Sequence, residues 1–251
     1  MANRLSVTLA ATFTGAMLVS GAVSAATVIA SGGYSDSGSY MTGSISGVVN
    51  GVASSGQAGI ARYLRTGGTA TETLLTNNPV NYFYAICLEF NEFIEGTPYS
   101  WDLVGLTSAP NDAGGSPGVP MTVARANDLA RLLNGAYANW GSAPVDVTAL
   151  QLAVWEIANE DTLTLGGSPL YDLGSGRIYF TSAPAASLTL AATYLANVTS
   201  GAFSDATMYY MALTDSNHQD FVVKTVPLPA AAWLLLSGLA GLGFVGRRKA
   251  A

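Results

Sequence analysis

One cysteine and one histidine in 251 residues leave little room for the chemistries that depend on them. Cys87 has no second thiol in the chain to form a disulfide. With His218 as the sole imidazole, a structural zinc site lacks ligands. His218 stands in the polar stretch Thr214-Asp-Ser-Asn-His-Gln-Asp220, read as surface, and no Ser-His-Asp triad assembles around it. Charge is also scarce, at 10% of residues, and it is one-sided. Between residues 26 and 225, sixteen acids oppose six Lys and Arg, leaving −10. An acidic body without a basic, aromatic-laced stripe repels phosphate backbones, so nucleic-acid binding is excluded. No Gly-rich phosphate loop follows a strand, and Asp215, Asn217 and Asp220 lack the EF-hand spacing. Neither a metal nor a cofactor is expected.

What is present is glycine (28 residues), aromatics and β-branched residues, the profile of an extracytoplasmic protein rich in strands and turns. The two ends are set apart from this body. Residues 1–25 read as a secretory leader: Arg4 supplies the positive start, Leu5 to Val23 an apolar run, and Val23-Ser24-Ala25 the small residues of a cleavage site. Cys87 lies too far from that cut to carry a lipid anchor. The body is then 26–225, and 226–251 form a separate tail.

The tail runs Val226-Pro227-Leu228-Pro229-Ala230, continues without charge to Val245, and ends in Arg247-Arg248-Lys249. As a helix, residues 230–245 would reach about 24 Å, slightly less than a ~30 Å hydrocarbon core, and snorkelling arginines can cover the difference. The basic cluster should stay cytoplasmic, placing the body outside. These three parts in this order resemble the PEP-CTERM class of sorting signals, in its VPLPA variant. The resemblance implies a Gram-negative, biofilm- or exopolysaccharide-forming source. It also implies an exosortase as partner, which would recognise the tail, cleave near the prolines and pass the protein from the inner membrane to the cell envelope.

Within the body, residues 27–60 alternate small, β-branched and Gly/Ser residues, as short strands joined by turns. Tyr82–Phe90 is the strongest strand pattern, Tyr99–Leu106 a second, and Ser108–Pro120 a proline-rich loop. The period then becomes helical. Thr122–Leu133 aligns Ala126, Leu129, Ala130 and Leu133 on one face. Asp146 is placed to cap a helix whose stripe is Val147, Leu150, Val154 and Ile157. A third helix over Ser187–Asn197 uses Leu188, Ala191, Ala192 and Leu195, and Met208–Leu213 and Phe221–Val226 read as closing strands. The expected fold is α+β, a β-rich sheet or sandwich with a small helical subdomain, plus one C-terminal transmembrane helix.

A lone thiol in an exported protein is either a small buried hydrophobe or a reactive group. Ile86-Cys87-Leu88-Glu89 on a strand, followed by Leu150-Gln151-Leu152-Ala153-Val154-Trp155-Glu156 on a helix, resemble the paired motifs of bacterial thioester domains, known from Gram-positive surface adhesins. The chain departs from the family at Ile86, where Tyr, Phe or Leu is preferred, and at Leu152, where a polar residue is usual. The resemblance implies that the Cys87 sulfur and the Gln151 carbonyl join with loss of ammonia. The product is an activated acyl group that captures an amine-bearing partner once, so the protein is not an enzyme. Holding the two groups together can supply an effective molarity of ~10⁵ M or more. Glu89 and Glu156 are candidates to accept the thiol proton, and Trp155 to keep water from the bond.

Two other readings stay open. Cys87 can be simply packed, with Gln151 a solvated helix flank, in a non-covalent structural protein of the exopolysaccharide layer. Glu89, Glu92 and Glu95 can alternatively suggest a carboxylate-based polysaccharide-active enzyme, although three acids in seven residues are more often a solvated edge.

Overall fold

The computed structural model describes residues 26–33, 40–70, 73–74, 81–92, 94, 98–110, 120–136, 143–160, 171–204 and 210–226. Among these residues nine strands form: β1 (Ala26–Gly33), β2 (Tyr40–Val49), β3 (Val52–Gly67), β4 (Thr73–Leu74), β5 (Tyr82–Cys87), β6 (Tyr99–Val104), β7 (Ile178–Ser182), β8 (Tyr210–Asp215) and β9 (His218–Val226). Three helices accompany them: α1 (Val123–Ala136), α2 (Pro144–Asn159) and α3 (Ala185–Thr199). The α+β class expected from the alternating and helical patterns is therefore present. The leader and all of the tail after Val226, including the expected membrane segment, lie outside the described residues. Among the described residues, no helix is long and apolar enough to cross a membrane.

The sheet differs from the expected sandwich. Its strands run in the order β1-β6-β8-β9-β5-β3-β2-β7, and β1 also pairs with β3, closing six strands into an antiparallel barrel. The sixteen-residue β3 makes this possible. Arg62 to Leu64 pair with both β1 and β5, and Ile60 pairs with both β2 and β5. β1 and β2 must therefore share one edge of β3 while β5 takes the other. The C-terminal half of β3 belongs to the barrel. Its N-terminal half projects with β2 and β7 as a three-stranded extension. Asn50-Gly51, with φ of 50° and 80°, joins β2 to β3 in the left-handed conformation that a two-residue hairpin turn requires.

Register fixes what fills the barrel. Tyr63 pairs with Phe83 and Cys87 with Phe221, and side chains two apart on β5 share a face. Tyr63 (β3) stacks on Phe83 (β5) at 5.9 Å. It meets Trp101 (β6) and Phe221 (β9) edge-on at 5.4 and 5.2 Å. Rings from four strands can touch only inside the closed sheet, so Cys87 belongs to the interior face. The Trp101 indole donates to the Gln219 carbonyl at 3.2 Å, which satisfies its one polar atom.

Closure depends on close backbone approach after β3. Gly68 has φ +107°, and a Cβ there would lie 2.2 Å from the Thr27 carbonyl oxygen. Both the dihedral and the clash with fixed backbone forbid a side chain. Gly68→Ala should lower the unfolding free energy by about 2 kcal/mol or more. Urea denaturation read as a shift in midpoint at constant slope measures this.

The helices cover one side of the sheet, α2 at the centre between α1 and α3 and against β2, β3, β5 and β7. Asp146 does not cap α2. Ala143 holds the N-cap position with no side-chain bond, Pro144 occupies the first turn where its missing N–H is no loss, and Asp146 places an acidic charge in that turn. At the other end, buried Arg125 of α1 donates to the carbonyls of Ala158, Glu160 and Pro120, satisfying acceptors that the helix leaves open. In α3 the buried face is Ser187, Ala191, Tyr194, Leu195 and Val198. Ala192, expected in the stripe, is exposed, because Tyr194 takes the inward position.

Candidate functional site

β5 ends at Cys87, and the chain turns away through Leu88 and Glu89. That turn strips three carbonyls of their ladder partners in a region where nearly everything is buried. Helix α2 supplies replacements. The Gln151 Nε2 donates to the Cys87 carbonyl at 2.8 Å, the Trp155 indole to the Glu89 carbonyl at 3.0 Å, and the Asn159 Nδ2 to the Leu88 carbonyl at 2.9 Å. These donors are spaced four apart along the helix, one face of it, and each replaces a hydrogen bond the strand has lost. On the far side, the Leu88 N–H donates to the Asp220 carbonyl at 2.9 Å.

The two residues singled out from sequence are thus brought together across 64 positions. Gln151 is 0% exposed and Cys87 3%. The solvated-flank reading of Gln151 is thereby overturned, since every residue of α2 from Val147 to Asn159 is buried and the helix has no wet flank there. The Gln151 Oε1 is buried with no hydrogen-bond partner among the described residues, so one end of its carboxamide is anchored and the other is not. Leaving a buried amide oxygen unmatched costs on the order of 1–3 kcal/mol, a cost set against the donor that the same side chain supplies to the Cys87 carbonyl.

Beside Cys87 lies a cavity of about 260 Å³ at the end of the barrel where β5 stops and β9 begins; Gln151 is not among its lining residues. Cys87, Glu89, Phe90, Trp155 and Gln219 line it, with Ser55 to Gln57 of the β3 extension opposite. Trp155 is pinned by an edge-on contact with Phe90 at 4.7 Å and lies beside Phe180 of β7. An apolar wall therefore faces the thiol. Tyr63 feels it from inside the barrel: burial first, and a negative charge at Cys87 second, drive its hydroxyl far above the ordinary phenol range.

The acids divide between two places. Glu89 is 4% exposed, lines the cavity on the Cys87 side, and accepts the Asp220 N–H at 2.8 Å. It is not the solvated edge that the run Glu89, Glu92, Glu95 suggested. Glu92 lines the same cavity, and Glu95 lies outside the described residues. Glu156 faces elsewhere. Its Oε1 accepts the Asp172 N–H at 2.7 Å, a bond to the segment before β7, and it takes no part in the cavity lining. Burial pushes its carboxyl up to about 8, with the Asp172 hydrogen bond acting in the opposite sense and the charges of Glu160 and Asp172 reinforcing the rise.

His218 is not a bare surface residue. Its Nδ1 contacts Asp215 Oδ1 at 2.7 Å, and its ring lies 3.9 Å from that of Tyr99. Asp215 Oδ1 also accepts the Asn217 N–H, and Asp220 Oδ1 accepts the Asp215 N–H. These acids brace the β8–β9 hairpin, and among the described residues no cluster of His, Cys, Asp or Glu is arranged to hold a metal.

Asn159 was missed by sequence reasoning, and Asp220 was weighed only as a metal ligand and not as part of this site. Asn159 had a signal, since it follows Trp155 by four and Gln151 by eight, so three side-chain donors recur on one helical face. Asp220 had none, because it reaches the site only through strand pairing. Comparisons with protein-family models, with curated proteins and with solved structures find no match to this chain.

Proposed function

We propose that this chain is an exported envelope protein whose body forms an internal Cys87–Gln151 thioester and uses it to attach covalently to an amine-bearing partner. The observation that carries the reading is the buried Gln151 carboxamide. It is oriented by its Nε2–H bond to the Cys87 carbonyl at 2.8 Å, with its oxygen unmatched among the described residues and a cavity beside Cys87.

The chemistry follows from that placement. The Cys87 sulfur, as thiolate, adds to the Gln151 Cδ, and negative charge passes to Oε1. The C–N bond then breaks, and Nε2 leaves as ammonia carrying the proton that the thiol gave up. Glu89, in the turn after β5 and lining the same cavity as Cys87, is the acid placed to hold that proton between the two steps. An amine entering the cavity later attacks the same carbon, forms an amide with the Gln151 side chain and returns the Cys87 thiol. Trp155 and Phe90 keep bulk water from the bond in the interval. The reaction occurs once per molecule, so it is attachment and not turnover.

Location belongs to the same reading. The leader (1–25) exports the chain, residues 230–245 hold it in the inner membrane, and an exosortase acting at Val226-Pro227-Leu228-Pro229 passes it to the envelope or matrix. β9 runs to Val226, so such a signal would begin where the last barrel strand ends.

Intact mass of the protein recovered from the envelope tests the central claim. The mature chain should be lighter than its sequence by one ammonia, and incubation with methylamine should raise it by one methylamine. A competing reading is favoured by the 3% exposure of Cys87: a non-covalent matrix protein with a packed thiol. That reading requires the full sequence mass, and a thiol that titrates only after unfolding.

A further inference from the structure

Asn159 offers one amide nitrogen to two different backbones. Its Nδ2 donates to the Leu88 carbonyl of the turn after β5 and to the Trp155 carbonyl of its own helix, both at 2.9 Å, while 5% exposed. No other side chain among those facing the 87–89 turn ties the helix backbone directly to the strand backbone in this way. Gln151 and Trp155 each reach the turn from the end of a side chain and bond only to it.

This difference matters because of what the proposed reaction removes. Before the reaction, three side-chain donors hold α2 to the carbonyls of Cys87, Leu88 and Glu89. Forming the thioester expels the Gln151 Nε2, and with it the donor to the Cys87 carbonyl. The helix then keeps only Trp155 and Asn159 as hydrogen-bonded contacts on that face. Of these, the indole is needed as a wall of the cavity, and a small rotation of its ring would open the bond to water. Asn159 has no contact with the cavity and is free to serve as a fixed strut.

We infer that Asn159 is a positioning residue for the thioester: it holds α2 in register with the 87–89 turn, so that the Gln151 carbon meets the Cys87 sulfur and remains shielded after ammonia has left. The inference rests on the thioester reading above. It adds that a residue two turns from Gln151, touching neither reacting atom, sets how completely the bond forms and how long it survives.

The test compares wild type with Asn159→Leu, which keeps the volume and removes both donors, and with Asn159→His, whose ring N–H can reach one carbonyl. Intact mass gives the fraction carrying the ammonia deficit, and the rate at which that deficit is lost in buffer gives the hydrolysis half-life. Both are measured well below each variant's unfolding midpoint. The expected result is a lower fraction and a half-life at least about tenfold shorter for Asn159→Leu, with partial recovery in Asn159→His. A purely structural role would lower the midpoint and leave fraction and half-life unchanged, and that result overturns the inference. If Asn159→Leu does not fold, Asn159→His alone decides: a half-life equal to wild type overturns the inference, and a shortened one supports it. A wild-type chain of full sequence mass would instead defeat the thioester reading itself, a separate and recognisable outcome.

Discussion

Gln151→Leu and Cys87→Ala should each abolish the ammonia deficit completely, and each should unfold at a markedly lower urea concentration than wild type. The size of the second effect comes from the cross-link. A thioester between positions 64 apart closes a long loop, and the chain-entropy relation for a cross-link of that span gives about 4 kcal/mol of stabilisation. Either substitution loses all of it, and the double variant loses it only once, so the two effects fail to add by a similar amount. Opening the bond in wild type with methylamine should reproduce the loss without any mutation. A merely packed thiol predicts a different pattern. Cys87→Ala then costs about 1–2 kcal/mol for the small cavity. Gln151→Leu is then close to neutral, because it removes an unmatched buried oxygen along with the donor to the Cys87 carbonyl. The two then add. Urea midpoints for the four proteins, with intact masses, separate these cases.

The second large effect is a pH dependence traceable to Glu156. Its carboxyl moves from an ordinary value of 4.5 to about 8 in the folded protein, with burial as the leading cause. Between those values the folded state holds a proton that the unfolded state has released. Stability from this group is therefore fully present below pH 4.5 and declines as pH rises towards 8. The decline amounts to a few kcal/mol over that window, at about 1.4 kcal/mol for each pH unit of displacement. Glu156→Gln keeps an oxygen to accept the Asp172 N–H and has no proton to lose. The variant should match wild type near pH 4.5 and exceed it by a few kcal/mol at pH 8. Urea midpoints measured at intervals across the range give the comparison, and parallel curves for the two proteins would refute the assignment. Glu156 is also bonded to Asp172 and does not line the cavity beside Cys87, so the substitution should leave the ammonia deficit as it is in wild type.

Local structure was legible in the residues, and closure was not. Tyr82–Phe90 and Tyr99–Leu106 are recognisable as strands because aromatic and β-branched residues cluster there. Both strands form, ending earlier, at Cys87 and Val104. The three helices declare themselves through their apolar spacing, although α2 is buried on all sides, polar residues included, and its stripe carries no directional information. For that reason Gln151 could be read equally as a flank or as a partner of Cys87. What decides between these is the packing of α2 between α1, α3 and the sheet, which periodicity does not encode. Barrel closure has the same origin. It depends on β1 meeting β3 through pairings such as Gly33 with Arg62, and alternation along either strand says only that it has two faces. The Asn50-Gly51 turn was there to be read as a hairpin. The separation of Glu89 from Glu156, both acidic and both near the motif, was not, because it follows from which way a buried helix is rotated.

Where β9 ends has a mechanical meaning. The strand lies between β5 and β8, and its last two residues, Thr225 and Val226, are flanked by Leu74 and Thr73. Tension applied at Val226 along the strand would load its transverse antiparallel hydrogen bonds together, in shear, instead of opening them one after another. Only a handful of residues separate that point from Phe221, the ladder partner of Cys87. A pull arriving from a tethered end would therefore reach the thiol strand by a short, stiff route, while α1 and α3 stayed off the line of force.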